Sequence, residues 1–297
     1  MLNRFTKLTT GCVVVLFVLA AIWMTERPAP SQIVIAPARA DAGRDLLLQG
    51  VTMQRDFYRA LLKASYMNRT RDQVYADGVQ TIMASIKKDY GEMGEQIRRP
   101  ETKKQFEEVM KLFDQFAVAN KEWWQTEVER QEAVAERAVS FATTMESINV
   151  LTHLIAEVTG EMFSITQNGK KYVAEDRVAL KDEVSNLAIY VRDIHRANYQ
   201  YILESSEQHK QKIREHIAEK YKIITAIIKA MEPHFVTDRE RVAVYELKEN
   251  LTACWAALNK EMELMESLAK IDVETATIAG EAMDKMSEML VAFESQR

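Results

Sequence analysis

From residue 41 onward the apolar residues recur at intervals of three and four, the spacing that keeps one face of an α-helix apolar. Few segments interrupt this pattern: MNRTRD around Asn68, RRPET around Pro100, QNGKK around Gly169, ESSEQ around Ser205 and EPHFVTD around Pro233. They divide the chain into six predicted helices, about 41–67, 70–98, 101–167, 171–204, 206–232 and 238–297. At about 1.5 Å per residue the first two are each ~40 Å long and the third reaches ~100 Å. Helices 4 and 5 are again short, and helix 6 is long. Connections of a few residues make successive helices antiparallel neighbours. The expected fold is therefore all-α: two short hairpins, each lying beside one half of helices 3 and 6, as two four-helix bundles stacked end to end. A proximal module would comprise about 41–130 with 270–297, and a distal module about 131–269.

Both long helices carry a three-four seam. On helix 3 it runs from Phe106 and Val109 through Phe113, Phe116, Asn120 and Trp123 to Val134, Phe141, Met145, Ile148 and Ile155. On helix 6 it runs from Val244 and Leu247 through Cys254 and Leu258 to Met265, Leu268, Met286 and Phe293. Polar residues on such seams are candidates for function, because a polar group facing a bundle core costs energy unless something satisfies it. On helix 1 the seam Leu47, Val51, Tyr58, Leu61 brings Gln54 and Arg55 towards the core, with Arg59 one turn on. On helix 4 the seam Leu187, Val191, Ile194 continues into His195 and Asn198, flanked by Arg192 and Arg196. Heights along straight helices place His195 near Met145, Ile217, Cys254 and Trp255, and Arg55 near Phe116, Asn120 and residues 279–283. A second reading keeps the four arginines on the surface, paired with Asp56, Asp193 or Glu204. His195 has a second reading as a satisfied structural histidine. Asp272, on the helix 6 seam between the modules, is expected to set register there.

Charge and composition narrow the class. Thirty-nine basic against 44 acidic residues give a net charge of −5 without a basic block, so no nucleic-acid footprint is present. The methionines, Met283, Met286 and Met289 among them, fall at core spacing and read as packing. Cys12 and Cys254 have no metal-spaced partner and imply no disulfide framework. Residues 8–24 form an uncharged run of 17 residues, near the lower limit for crossing a bilayer. Arg4 and Lys7 precede it, which leaves residues 1–7 in the cytoplasm and everything after Met24 outside. A cleaved secretory signal is the alternative, with Ala38-Arg39-Ala40 as a small-x-small site; both readings export the helical part. Pro28, Pro30 and Pro37 make residues 25–40 a non-helical tether.

The runs VTMQRDFYRALLKASYMNRTRDQV and VRDIHRANYQYILESSEQHKQKI each place arginines and a tyrosine just ahead of a helix-hairpin tip. With the six-helix length pattern, they resemble the helical bimodular sensor domain of bacterial chemoreceptors and sensor kinases over roughly residues 41–297. That resemblance implies a homodimeric, non-enzymatic sensor in the inner membrane. Its helical domain would lie in the periplasm and bind small organic acids between bundle helices. Carried over residue by residue, it implies Arg192, Arg196, His195 and Asn198 for a distal site and Arg55, Arg59 and Tyr58 for a proximal one. Guanidinium groups suit carboxylates because they match them in a two-pronged geometry. The family also implies a second membrane span, a HAMP linker and a signalling hairpin beyond helix 6, which residues 1–297 do not include. The chain is accordingly expected to be a sensory portion or a stand-alone tethered protein.

No HExxH, CxxC, Walker loop, GxSxG elbow or paired Glu-x-x-His is present, so no catalytic residue, metal site or cofactor is expected. The competing reading from a different class is a membrane-tethered or secreted helical rod that docks a protein partner.

Overall fold

The computed structural model describes residues 39–165 and 172–295, with side chains over 44–160 and 177–295. Among them every element is helical: α1 (Arg39–Thr70), α2 (Gln73–Tyr90), α3 (Pro100–Ile165), α4 (Tyr172–Leu203), α5 (Glu207–Met231) and α6 (Asp238–Glu294). A single helical turn, Met93–Gln96, separates α2 from α3, and a 3-10 turn, Glu232–His234, separates α5 from α6. The predicted break at Gly169 and the candidate membrane span at 8–24 lie outside the described residues. No described helix is long and apolar enough to cross a membrane.

Each described break has a local cause. At the first, Arg71 adopts the left-handed conformation (φ 57°), its amide bonding back to Met67 O at 2.7 Å, and the Asp72 carboxylate then accepts from Val74 N to start α2. Pro100 occupies the first position of α3, where a missing N–H costs nothing. Ser206 caps α5, and Thr237 with Glu240 forms a complete capping box on α6. Helix 2 was expected to continue to residue 98 but stops at Tyr90. Two glycines accompany this stop: a Cβ on Gly91 would sit 2.6 Å from Lys87 O, and Gly94 is packed so closely that a Cβ there would sit 3.0 Å from the Phe106 ring.

The long helices α3 and α6 pair antiparallel along their length. Glu157 meets Arg239, Ser147 meets Asn250, Glu136 meets Lys260 and Glu108 meets Lys285, so each step forward on α3 matches a step back on α6. One core draws on α1, α2, the first part of α3 and the last part of α6, centred on Phe57, Phe113, Phe116, Met286 and Phe293. A second draws on α3, α4, α5 and the first part of α6, centred on Ile148, Leu151, Leu187, Ile224 and Leu247. Between them lies a small cluster of Met67, Ala76, Trp123, Leu268 and Ile271.

The helix 1 seam is out by one residue. The buried row on α1 is Leu46, Gly50, Met53, Phe57, Ala60, Ala64 and Met67, so Val51, Arg55 and Tyr58 point outward. Phe57 decides the phase. Its ring stacks on Phe113 at 4.3 Å between centroids and meets Phe116 edge-on at 5.1 Å, a larger apolar gain than Tyr58 could make there.

Phe57→Ala should cost about 3–5 kcal/mol of stability by opening a cavity in the first core. Val118→Ala, on the solvent face of α3, should change stability by less than ~0.5 kcal/mol. Urea unfolding followed by circular dichroism measures both.

Candidate functional site

Continuing the α3 seam by threes and fours beyond Trp123 reaches Glu127, Arg130 and Arg137 before Phe141, and continuing the α6 seam beyond Leu258 reaches Glu261. All four charged residues are buried, with at most 8% of their surface exposed. The interior of the bundle is thus ionic between the two apolar cores, a placement that is costly unless every charge finds a partner.

Glu127 is held on three sides. Arg130 donates to both its oxygens at 2.8 Å, Gln131 donates at 3.0 Å, and Arg71 reaches it from the α1–α2 turn at 3.3 Å. Burial alone would raise the Glu127 carboxyl, but the hydrogen bonds from Arg130 and Gln131 and the charge of Arg71 outweigh it and hold the group below its ordinary value. Glu261 receives the Asn198 amide at 3.0 Å and lies 2.6 Å from Arg137 Nε, though that N–H does not point along the contact. Its other oxygen accepts no hydrogen bond among the described residues, and Arg130 Nη1 stands 4.0 Å away.

Arg137 also donates through Nη1 to His195 Nδ1 at 3.0 Å. A guanidinium can only donate, so Nδ1 is the acceptor and the imidazole proton sits on Nε2. Burial, reinforced by the Arg137 charge, pushes His195 below its ordinary pKa despite Glu261, so the ring is neutral at pH 7. The ring stacks on Phe141 at 4.1 Å and meets Tyr199 edge-on at 4.9 Å. With His195 neutral, the array from Arg71 to Arg137 holds three cations against two anions.

Arg137 and His195 form one wall of a small, partly open cavity between α3, α4, α5 and α6, lined elsewhere by Phe141, Ile194, Tyr221 and Trp255. Tyr221 and Trp255 stack on each other at 4.3 Å. The free space is about 10 Å³, on the order of one water.

The sequence-predicted residues separate cleanly. His195 and Asn198 enter the array, and the helix 6 neighbours expected at their level, Cys254 and Trp255, line the cavity. On α3 and α5 the residues at the cavity are Phe141 and Tyr221, one turn from the expected Met145 and Ile217. Arg192 and Arg196 are exposed on α4, with no ion pair or hydrogen bond among the described residues. Arg55 and Arg59 are exposed on α1, where both approach Asp56, at 3.6 and 3.4 Å, while Asp56 also accepts from Tyr90 at 3.0 Å. Tyr58 is half exposed. Glu127, Arg130, Arg137 and Glu261 were not singled out from the sequence. Their signal lies in gaps in the apolar pattern of both seams, filled by one glutamate and two arginines on α3 and by a glutamate on α6.

No family model matches the chain. No curated protein matches it either.

Asp272, on the same α6 seam nearer the first core, accepts from Asn68 of α1 at 2.7 Å. Burial raises its pKa from 3.8 to about 6, against the opposing effects of the Trp123 N–H and Arg71. Because this acid is raised on folding, its stabilising contribution is complete below pH 3.8 and is lost as pH rises through about 6.

Asp272→Asn should therefore be more stable than the wild type at pH 8, on the order of 1 kcal/mol after solvent screening, with the difference shrinking as pH falls below 6 and vanishing below pH 3.8. Thermal unfolding across that pH range reads it. At the array, Glu261→Gln should cost about 3–5 kcal/mol by leaving Arg137 and Arg130 buried beside one remaining anion. Joining it to Arg137→Met should cost less than the two separately, a coupling that a double-mutant cycle by urea unfolding measures.

Proposed function

We propose that the chain is the extracytoplasmic ligand-binding region of a bacterial chemoreceptor or sensor kinase. In this reading residues 8–24 anchor it in the inner membrane, and it folds as two stacked four-helix modules. A small organic acid binds in the distal module. One observation carries the reading: a buried guanidinium and a neutral imidazole, Arg137 and His195, meet at the wall of an aromatic-lined cavity between four helices, a usual place for ligand sites in bundles.

The chemistry suits a carboxylate with a short apolar or aromatic body. Arg137 offers charge and paired donors, His195 offers Nε2–H, and Phe141, Tyr221 and Trp255 exclude water and so strengthen the ion pair. Glu261 already supplies a carboxylate to Arg137. An incoming acid takes over that role, and Glu261, freed from the guanidinium, moves with its helix. The cavity enlarges by the same motion. A small slide of α6 against α3 is the kind of two-state displacement that carries a signal along a bundle. Arg192 and Arg196, on the turns around His195, add positive potential near the mouth and steer the anion towards it.

Thermal unfolding against a panel of small carboxylates, amines and amino acids tests this. A binding acid at a hundred times its Kd should stabilise the protein by about 2.7 kcal/mol. Arg137→Ala and His195→Ala should abolish the shift. Arg192→Ala and Arg196→Ala should weaken binding chiefly at low salt. If no carboxylate shifts the midpoint of the folded protein, the sensor reading fails.

A further inference from the structure

At the joint between the two cores a polar contact ties α1 to α6. Asn68 Nδ2 donates to Asp272 Oδ1 at 2.7 Å, across 204 residues of sequence. Their chain neighbours Met67 and Ile271 belong to the small cluster between the cores, so the pair stands at the edge of an apolar surround. Three buried polar atoms there have no hydrogen-bond partner among the described residues: Asn68 Oδ1, Thr275 Oγ1 one turn along α6, and Trp123 Nε1 on α3. The Asn68 oxygen is the informative one. It is a buried acceptor beside a carboxylate, and a carboxylate can only accept, so the pair as it stands lacks a proton.

A proton on Asp272 supplies what is missing. A primary amide and a carboxylic acid each offer one donor and one acceptor side by side, and together they close a ring of two hydrogen bonds; an ionised carboxylate completes half of that ring. The surroundings favour the acid form. Burial raises Asp272 from 3.8 to about 6, with Trp123 N–H of α3 and the charge of Arg71 opposing. Arg71 comes from the α1–α2 turn and is already engaged with Glu127 of α3 at 3.3 Å. From α2 the joint receives Ala76 and Tyr75, and Lys63 of α1 is turned to the Tyr75 ring, 5.3 Å from its centroid. On α6 itself Lys270 and Glu274 are exposed. Asp272 keeps part of its own surface in solvent, through which a proton enters and leaves.

We propose that Asn68 and Asp272 are a proton-operated clasp between α1 and α6. On taking up a proton from solvent, Asp272 donates to Asn68 Oδ1 while Asn68 Nδ2 keeps its own bond, and the end of α1 is held by two hydrogen bonds. On release of the proton one bond remains, and the new carboxylate shares Arg71 with Glu127. The joint between the two cores is thus tighter in acid than in neutral solution. The inference uses none of the residues of the proposed ligand site and stands or falls separately from it.

The test uses the full chain in detergent, its aspartates labelled with carbon-13 at the carboxyl, with Asp272→Asn identifying the Asp272 resonance and circular dichroism confirming that each variant is helical. Asp272 should titrate near pH 6. Asn68→Ala removes the acceptor that only the acid form satisfies, and should weaken proton binding at Asp272 about tenfold. Amide hydrogen exchange gives a second reading. After correction for the intrinsic rate, protection of α1 amides at 64–68 should fall about tenfold from pH 5 to pH 8 in the wild type, the change that a carboxyl raised from 3.8 to about 6 produces. In Asp272→Asn, whose amide keeps a two-bond pairing with Asn68 at every pH, protection should stay constant. An Asp272 that titrates in the ordinary carboxylate range would overturn the inference. So would proton binding unchanged or strengthened by Asn68→Ala, since the amide would then serve the carboxylate, or protection equally pH-dependent in the wild type and Asp272→Asn.

Discussion

The contact of Arg137 with Glu261 joins the two helices on which everything else is hung. The apolar seams of α3 and α6 can slide past one another by a turn and still bury similar groups, because leucine, methionine and alanine are poor rulers. A buried carboxylate cannot slide. Displaced by one turn of about 5.4 Å, Glu261 would lose both Arg137 and the Asn198 amide and remain charged in an apolar surround. The ion pair therefore fixes the antiparallel register, and with it the heights at which the two short hairpins meet their halves of the long helices.

This is a device for uniqueness more than for stability. Buried ion pairs seldom outweigh the desolvation they entail, and an all-apolar middle would hold the helices together at least as well. What it would lose is the difference between one register and the next. The position of the array makes sense in that light. The apolar cores above and below specify that helices pack, and the charged layer between them specifies where. The partners in this layer are also discrete and exchangeable, where packed methyl groups are not. The proposed ligand site borrows this property, with an external acid entering an exchange the fold already contains.

Much of the architecture was legible in the sequence because helix breaks are written in residues with local mechanisms. Pro100, Ser206 and the Thr237–Glu240 box act on their own few neighbours, so the element ends they cause can be read without knowing the fold. The end of α2 was harder. Gly91 and Gly94 are weak local signals, and what makes Gly94 matter is Phe106, which belongs to another helix. The candidate site was legible only in part for a related reason. His195 and Asn198 stand out as polar residues on an apolar seam, whereas Arg137 and Glu261 are hidden among the many charges of two long helices. Their meaning comes from facing each other across the bundle, which a single helix does not record. On α1 the seam slipped by one because Phe57 and Tyr58 are adjacent aromatics, and only the rings of Phe113 and Phe116 decide between them.

Arg71 gives the α1–α2 turn a place in this scheme. Its backbone takes a conformation that costs most side chains roughly 1 kcal/mol, where glycine would have been free to sit. In exchange its guanidinium extends from the turn into the charged layer and grips Glu127. A hairpin tip is ordinarily the loosest point of a helical protein. Here it is moored to the centre, so the first hairpin is pinned to the other helices by an electrostatic stay whose strength depends on the buried charges around Glu127.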